Sequence, residues 1–146
     1  HLPKYFFLQL LEKYDKKNLD IFCIYHGGKP IAASFVLSYL EVSEVCWVSS
    51  LRQFNNLYPN MILYWEMIKH SILNNQKKFF FGRSTQDSSL ARFKRQWGCE
   101  ELTIYFNYSH TKVFNIKKLT ILSKIWQRMP VSFTKKIGPI IGKNIY

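Results

Sequence analysis

Apolar positions change period several times along the chain, and each change predicts an element. Phe6, Phe7, Leu10, Leu11 and Tyr14 follow Pro3 at helical spacing, with proline at a tolerated early position. Leu19 to Tyr25 reads as a strand, and His26-Gly27-Gly28-Lys29 as a tight hairpin turn. Ile31 to Leu40 and Val45 to Ser50 supply two further strands of an antiparallel meander. Pro59 to Asn74 is a helix: Pro59 suits its first turn, and Met61, Trp65, Ile68 and Ile72 define an apolar stripe. The triplet Phe79 to Phe81 suits a strand buried on both faces. A short helix over about Ser88 to Gln96 and a strand over Leu102 to Tyr108 follow. An amphipathic helix over Ile116 to Met129, stopped by Pro130, closes the pattern. Three meandering strands and then alternating helices and strands indicate an α/β domain with a mixed sheet. There is no internal repeat.

Composition narrows this little further. A chain of 146 residues with 12 Phe, 9 Tyr and 4 Trp can bury a sizeable core. An excess of 21 basic over 9 acidic residues gives +12, which favours anionic partners such as RNA, phosphorylated cofactors or an acidic membrane surface, without choosing among them. Cys23, Cys46 and Cys99 form no CxxC pair and leave an odd number, so reduced thiols in a cytoplasmic protein are expected. No run is long enough to span a bilayer, no signal peptide opens the chain, and His1 in place of Met predicts further sequence upstream. The expected division is a domain over 1–110 and a basic amphipathic helix and tail over 111–146. The stretch from Lys112 to Lys143 mixes lysines with Ile, Leu, Trp and Phe. It suits either a terminal helix packed on its own domain or a peripheral contact with an anionic membrane at its inner face.

Candidate chemistry concentrates between Phe79 and Gly98. The chain must turn at Gly82, and Arg83 and Ser84 follow at once. Phe93 and Trp97 share a helix face, with Lys94 beside them. Basic side chains at a strand end beside a helix fit an anionic group. Arg83 suits either a carboxylate or phosphate fork or a salt bridge with Glu66. Ser84 reads as a turn or cap residue, since no His–carboxylate set accompanies it. Tyr64 is a candidate pocket-lining residue, and Trp65 and Trp97 are read as core. The connection Leu51 to Pro59, LRQFNNLYP, holds no glycine, so close backbone approach to a diphosphate is harder there. Arg52 and the helix start at Asn60 remain candidates for binding an anion. No pair of histidines has metal-ligand spacing, so no metal is expected.

The ordered blocks Tyr58-Pro59-Asn60-Met61, Leu63-Tyr64-Trp65-Glu66, Phe81-Gly82-Arg83-Ser84-Thr85 and Phe93-Lys94-Arg95-Gln96-Trp97-Gly98 resemble the FemAB-like branch of the GNAT acyltransferase superfamily. The resemblance is nearest to members associated with exopolysaccharide and PEP-CTERM sorting systems. It runs from about Pro3 to Pro139, with closing segments at Trp126-Gln127-Arg128-Met129-Pro130 and Gly138-Pro139. It implies a GNAT fold, and the second of the two GNAT-like halves that full-length members carry. The implied activity moves an acyl or aminoacyl group from an acyl thioester (acyl-CoA) or an aminoacyl-tRNA ester to an amine of a cell-envelope or exopolysaccharide precursor. Lys94 matches a Phe-Lys pair at the transfer site of tRNA-dependent relatives. Lys94, with Arg83, is thus expected to hold negative charge, and Phe93, Ser84, Tyr64, Asn60 and Arg52 are the expected substrate-binding residues. Phe93 would offer its ring to a terminal base. The chain departs from the family pattern at Phe80, where an Asp is usual, and at Ser88-Ser89, where Ser-Gly is common. The competing expectation is a non-catalytic or split-transferase module that binds RNA or an anionic membrane.

Overall fold

The structure, a computed structural model, describes residues 2–105, 107 and 129. The chain divides into two compact units, Lys13–Glu100 and His1–Glu12 with Glu101–Tyr146. Helix α1, Lys4–Lys13, opens the chain with Phe6 and Phe7 edge to face at 5.4 Å and Leu10 buried. Residues 101–105 carry no helix or strand, so the strand expected over Leu102 to Tyr108 does not form there. Leu102, Ile104 and Tyr105 are exposed, leaving their apolar spacing no face to bury. Residues 106 and 108, the helix expected over Ile116 to Met129 (apart from Met129), the basic segment Lys112 to Lys143 and the closing blocks lie outside the described residues.

The larger unit is a four-stranded sheet in the order β1-β2-β3-β4, with β1 Leu19–His26, β2 Lys29–Tyr39, β3 Val42–Ser50 and β4 Lys78–Phe80. The first three are antiparallel, and β4 pairs with β3 in parallel. Gly27 and Gly28 both adopt positive φ (55° and 73°) at the β1–β2 reversal, a conformation that glycine takes without steric cost. The parallel β4 needs a crossover, and α2, Pro59–Leu73, supplies it after a 3-10 turn at Arg52–Leu57. Helix α3, Ser89–Arg95, follows β4.

Helix α2 buries Leu63, Tyr64, Met67 and Ser71, and the core joins Leu63, Tyr64 and Met67 to Ala32, Val36 and Val45 of the sheet. Two hydroxyls are satisfied inside it: Ser34 donates to Met67 Sδ at 3.0 Å and Ser71 to the Met67 carbonyl at 2.9 Å. The buried face is not the expected one. Met61, Trp65 and Ile72 are exposed at 39, 56 and 66%. Apolar residues nearly encircle this helix, so two stripes at i, i+4 spacing compete. The sheet selects the one through Leu63 and Met67. Trp65→Ala is therefore expected to change unfolding free energy by no more than about 0.5 kcal/mol. A loss above about 2 kcal/mol in chemical denaturation would return Trp65 to the core.

Strand β4 also departs from expectation. It has three residues and β3 as its partner, and Phe80 is 44% exposed. Alternation along a strand places Phe79 and Phe81 on one face, where they meet edge to face at 5.1 Å, and Phe80 on the other. Among the described residues, three successive phenylalanines thus mark the last strand of the sheet, with one half-buried face.

Candidate active site

Strands β3 and β4 pair over only three positions, Val42 with Lys78, Ser43 with Phe79 and Glu44 with Phe80. Beyond Glu44, β3 continues to Ser50 with no strand partner on that side among the described residues. The chain from Phe81 leads away, and the divergence opens a cleft of about 450 Å³. Val45, Cys46, Val48, Ser49 and Ser50 form one wall and Phe81, Gly82 and Arg83 the opposite one. Asn60 and Tyr64 of α2 and Ser89, Leu90, Phe93 and Lys94 of α3 complete it.

Two local features produce the splay. Gly82 has φ +70°, and a Cβ there would lie 2.9 Å from the Val45 carbonyl oxygen, so any other residue would be both strained and in collision. On the facing strand the register passes from Phe35–Trp47 to Val36–Val45, leaving Cys46 without a partner in β2. Such a bulge increases local twist and turns β3 away from regular pairing. Burial, reinforced by the Glu44 charge, pushes the Cys46 thiol above its ordinary pKa; a backbone hydrogen bond at Leu37 opposes the shift.

Lys94 holds the opposite wall. The side chain of Ser88 caps α3 by accepting the Ala91 N–H at 3.1 Å, which starts the helix that carries Lys94 inward. Lys94 is 5% exposed, and its Nζ donates to the carbonyls of Gly82 at 2.8 Å and Arg83 at 3.0 Å. Desolvation depresses its pKa below the ordinary 10.5, with Cys99 opposing. Because the fold disfavours the ammonium, the unfolded chain binds more protons between that lowered value and 10.5. Stability from this residue therefore rises with pH across the window. The difference in unfolding free energy between wild type and Lys94→Met should grow as pH approaches 10.5. A difference flat in pH would mean that the ammonium is not desolvated.

The back of the cleft is aromatic. Tyr64 stacks on Phe81 at 5.5 Å and 9°, meets Phe93 edge on at 5.1 Å, and lies 6.3 Å from Trp97. Burial raises the phenol's pKa, so Tyr64 stays protonated through neutral and mildly alkaline pH.

Of the residues expected to form the site, Lys94, Arg83, Phe93, Tyr64 and Asn60 come together in this cleft. Arg83 is exposed in its wall, and Glu66, the salt-bridge partner weighed for it, bonds Lys69 at 2.8 Å. Ser84 and Arg52 are exposed and are not among the lining residues, Ser84 in the β4–α3 connection and Arg52 in the 3-10 turn. Sequence reasoning missed Cys46 and the serines of the β3 edge. A bulge has no composition signal here, and Ser49 and Ser50 gain meaning only once β4 peels away.

The sequence matches the Acetyltransferase (GNAT) domain over residues 1–95. The chain belongs to this family. Solved structures with the same architecture include a Pyrococcus furiosus protein assigned as an acetyl transferase, with TM-score 0.61, 10% identity and coverage of 73% of this chain and 74% of that one. An aminoglycoside acetyltransferase from an uncultured soil metagenomic sample, solved with sisomicin, aligns with TM-score 0.60 and 15% identity over 76% of this chain and 77% of its own. The same description with trehalose bound gives TM-score 0.59. At such identities the likeness concerns the fold. No curated protein matches the sequence. Among the described residues of the GNAT chain, no helix is long and apolar enough to cross a membrane.

Proposed function

We propose that this GNAT domain is an N-acyltransferase of the FemAB-like kind, drawing an acyl group from a thioester and delivering it to an amine of a cell-envelope or exopolysaccharide precursor. The observation that carries the donor half of this reading is the splay of β3 from β4. It opens the cleft walled by Cys46, Val48, Ser49 and Ser50, which an extended, amide-bearing chain can enter. The acceptor class rests on the sequence blocks around Gly82-Arg83-Ser84 and Phe93-Lys94.

In the reaction the amine nitrogen attacks the thioester carbonyl carbon, a C–N bond forms, and the C–S bond breaks. The sulfur leaves with the bonding pair and takes a proton, while the attacking nitrogen loses one. Tyr64, kept protonated by burial, lines the cleft as a proton source for the sulfur, and the proton lost by the nitrogen restores the phenol. Much of the rate comes from holding amine and carbonyl in line. Lys94 serves that geometry by fixing the Gly82–Arg83 backbone, and two of its three N–H groups are committed there.

Thiol release from acetyl-CoA, measured with amino sugars and lysyl peptides as acceptors, tests the reading, with aminoacyl-tRNA as the competing donor. Amine-dependent release is expected. Consumption of aminoacyl-tRNA alone would move the donor to a tRNA ester. No transfer from either donor, with steeply salt-dependent RNA or vesicle binding, would leave a non-catalytic binding module.

A further inference from the structure

Helix α2 turns apolar faces in two opposite directions, and the fold uses one of them. Leu63, Tyr64 and Met67 enter the core, while Met61, Ile62, Trp65, Ile72 and Leu73 stand out to solvent, Ile62 at 48% and Leu73 at 75% exposure. At 3.6 residues per turn these five share an arc of about 120°, with Lys69 near its middle. Apolar residues exposed singly need no explanation, but five on one side of a helix form the kind of patch that marks an interaction site.

The order of the side chains says what fits the patch. Met61, Trp65, Lys69 and Leu73 recur every four residues and form one ridge along the helix. Two helices interdigitate such ridges at a crossing angle of about 50°. About a two-fold axis at the level of Met67 the face is complementary to itself. Met61 meets Leu73 of the second copy, Ile62 meets Ile72, and Trp65 meets Lys69. The indole then covers the aliphatic stem of Lys69, while Glu66 keeps the ammonium at 2.8 Å.

Charge selects the same occupant. The chain carries +12, yet Glu66 and Lys69 are the only fixed charges in the α2 sequence, and they balance. A second copy is therefore not repelled at this face, and an anionic surface finds no net positive charge on it. Area sets the strength. The exposed parts of the five apolar side chains come to roughly 600 Å² per copy, under the about 800 Å² per partner of a standard interface, so the association is weak and reversible.

We propose that the outward face of α2 is a self-association surface, on which two copies of this chain pack antiparallel about Trp65 and Lys69.

Sedimentation equilibrium of the full chain between about 1 and 300 µM tests this, with an expected dissociation constant of about 1–100 µM. Added salt should leave the dimer unchanged or strengthen it, because both copies are basic. Trp65→Ala should raise the dissociation constant at least about tenfold, and Leu73→Lys, at the more exposed position, should do the same. Below that constant Trp65→Ala should unfold as the wild type does, whereas above it the wild type alone gains stability with concentration. A monomer at every concentration would overturn the proposal. A dimer that tolerates both substitutions would place the contact on another face and overturn it equally. Self-association absent, with binding to anionic vesicles that Trp65→Ala abolishes, would give the face to a lipid surface instead.

Discussion

Gly82→Ala is expected to lower stability by about 3 kcal/mol, or roughly 10 °C in melting temperature, and to cut affinity for CoA at least tenfold. Two costs combine. Alanine at φ +70° pays the left-handed penalty of about 1–2 kcal/mol, and its Cβ meets the Val45 carbonyl oxygen at 2.9 Å. That oxygen belongs to β3 at the point where the strands part, so relief requires moving a wall of the cleft. Gly98 is an internal control. Its φ is +71° and nothing lies within 4 Å of a Cβ built there. Gly98→Ala should cost about 1–2 kcal/mol from strain alone and leave CoA binding unchanged. Equal losses in the two variants would show that the close approach at Gly82 does not shape the cleft.

Lys94→Met should reduce amine-dependent thiol release from acetyl-CoA about a hundredfold while lowering stability by only about 1–3 kcal/mol. Methionine keeps the apolar stem and removes both hydrogen bonds, stranding the carbonyls of Gly82 and Arg83. Loss of the buried ammonium's desolvation cost offsets part of that penalty. The turn then loses its tether, and displacement of a wall by about 1 Å is enough for a hundredfold rate effect. Lys94 acts here through the backbone it holds, so Lys94→Gln, which retains a donor, should recover part of the activity. Full activity in Lys94→Met would separate the tether from catalysis. If Lys94→Gln is as inactive as Lys94→Met, the charge itself is required.

Much of the fold was legible because its signals are local. The Gly27-Gly28 hairpin, Pro59 at a helix start, and Gly82 after an apolar triplet each carry a conformational demand that only a few backbones meet. The family blocks then fixed the architecture. What could not be read was the outcome of competition between faces. Helix α2 offers two apolar stripes, and only contact with Ala32, Val36 and Val45 decides for Leu63 and Met67 over Met61 and Trp65. Phe80 was misplaced for a related reason, since nothing in three phenylalanines says which of their faces the described sheet and helices cover.

The site was legible in its membership more than in its roles. Lys94 stood out as a cation beside Phe93, but its place under two carbonyls depends on how the Gly82 turn folds back over α3. Arg52 and Ser84 were drawn in by charge and by adjacency, neither of which brings them into the walls. Cys46 was overlooked because its position follows from a register shift between β2 and β3.

Site-resolved alkylation of the three cysteines, with and without an unreactive thioether analogue of acetyl-CoA, tests the central claim most directly. Cys46 lines the cleft, whereas Cys23 is exposed on β1 and Cys99 follows α3, and neither is among the lining residues. If the gap between β3 and the Gly82–Arg83 turn is the donor's berth, a saturating analogue will suppress labelling of Cys46 and spare Cys23. Undiminished modification of Cys46 at full occupancy of the analogue would place the donor elsewhere and contradict the account.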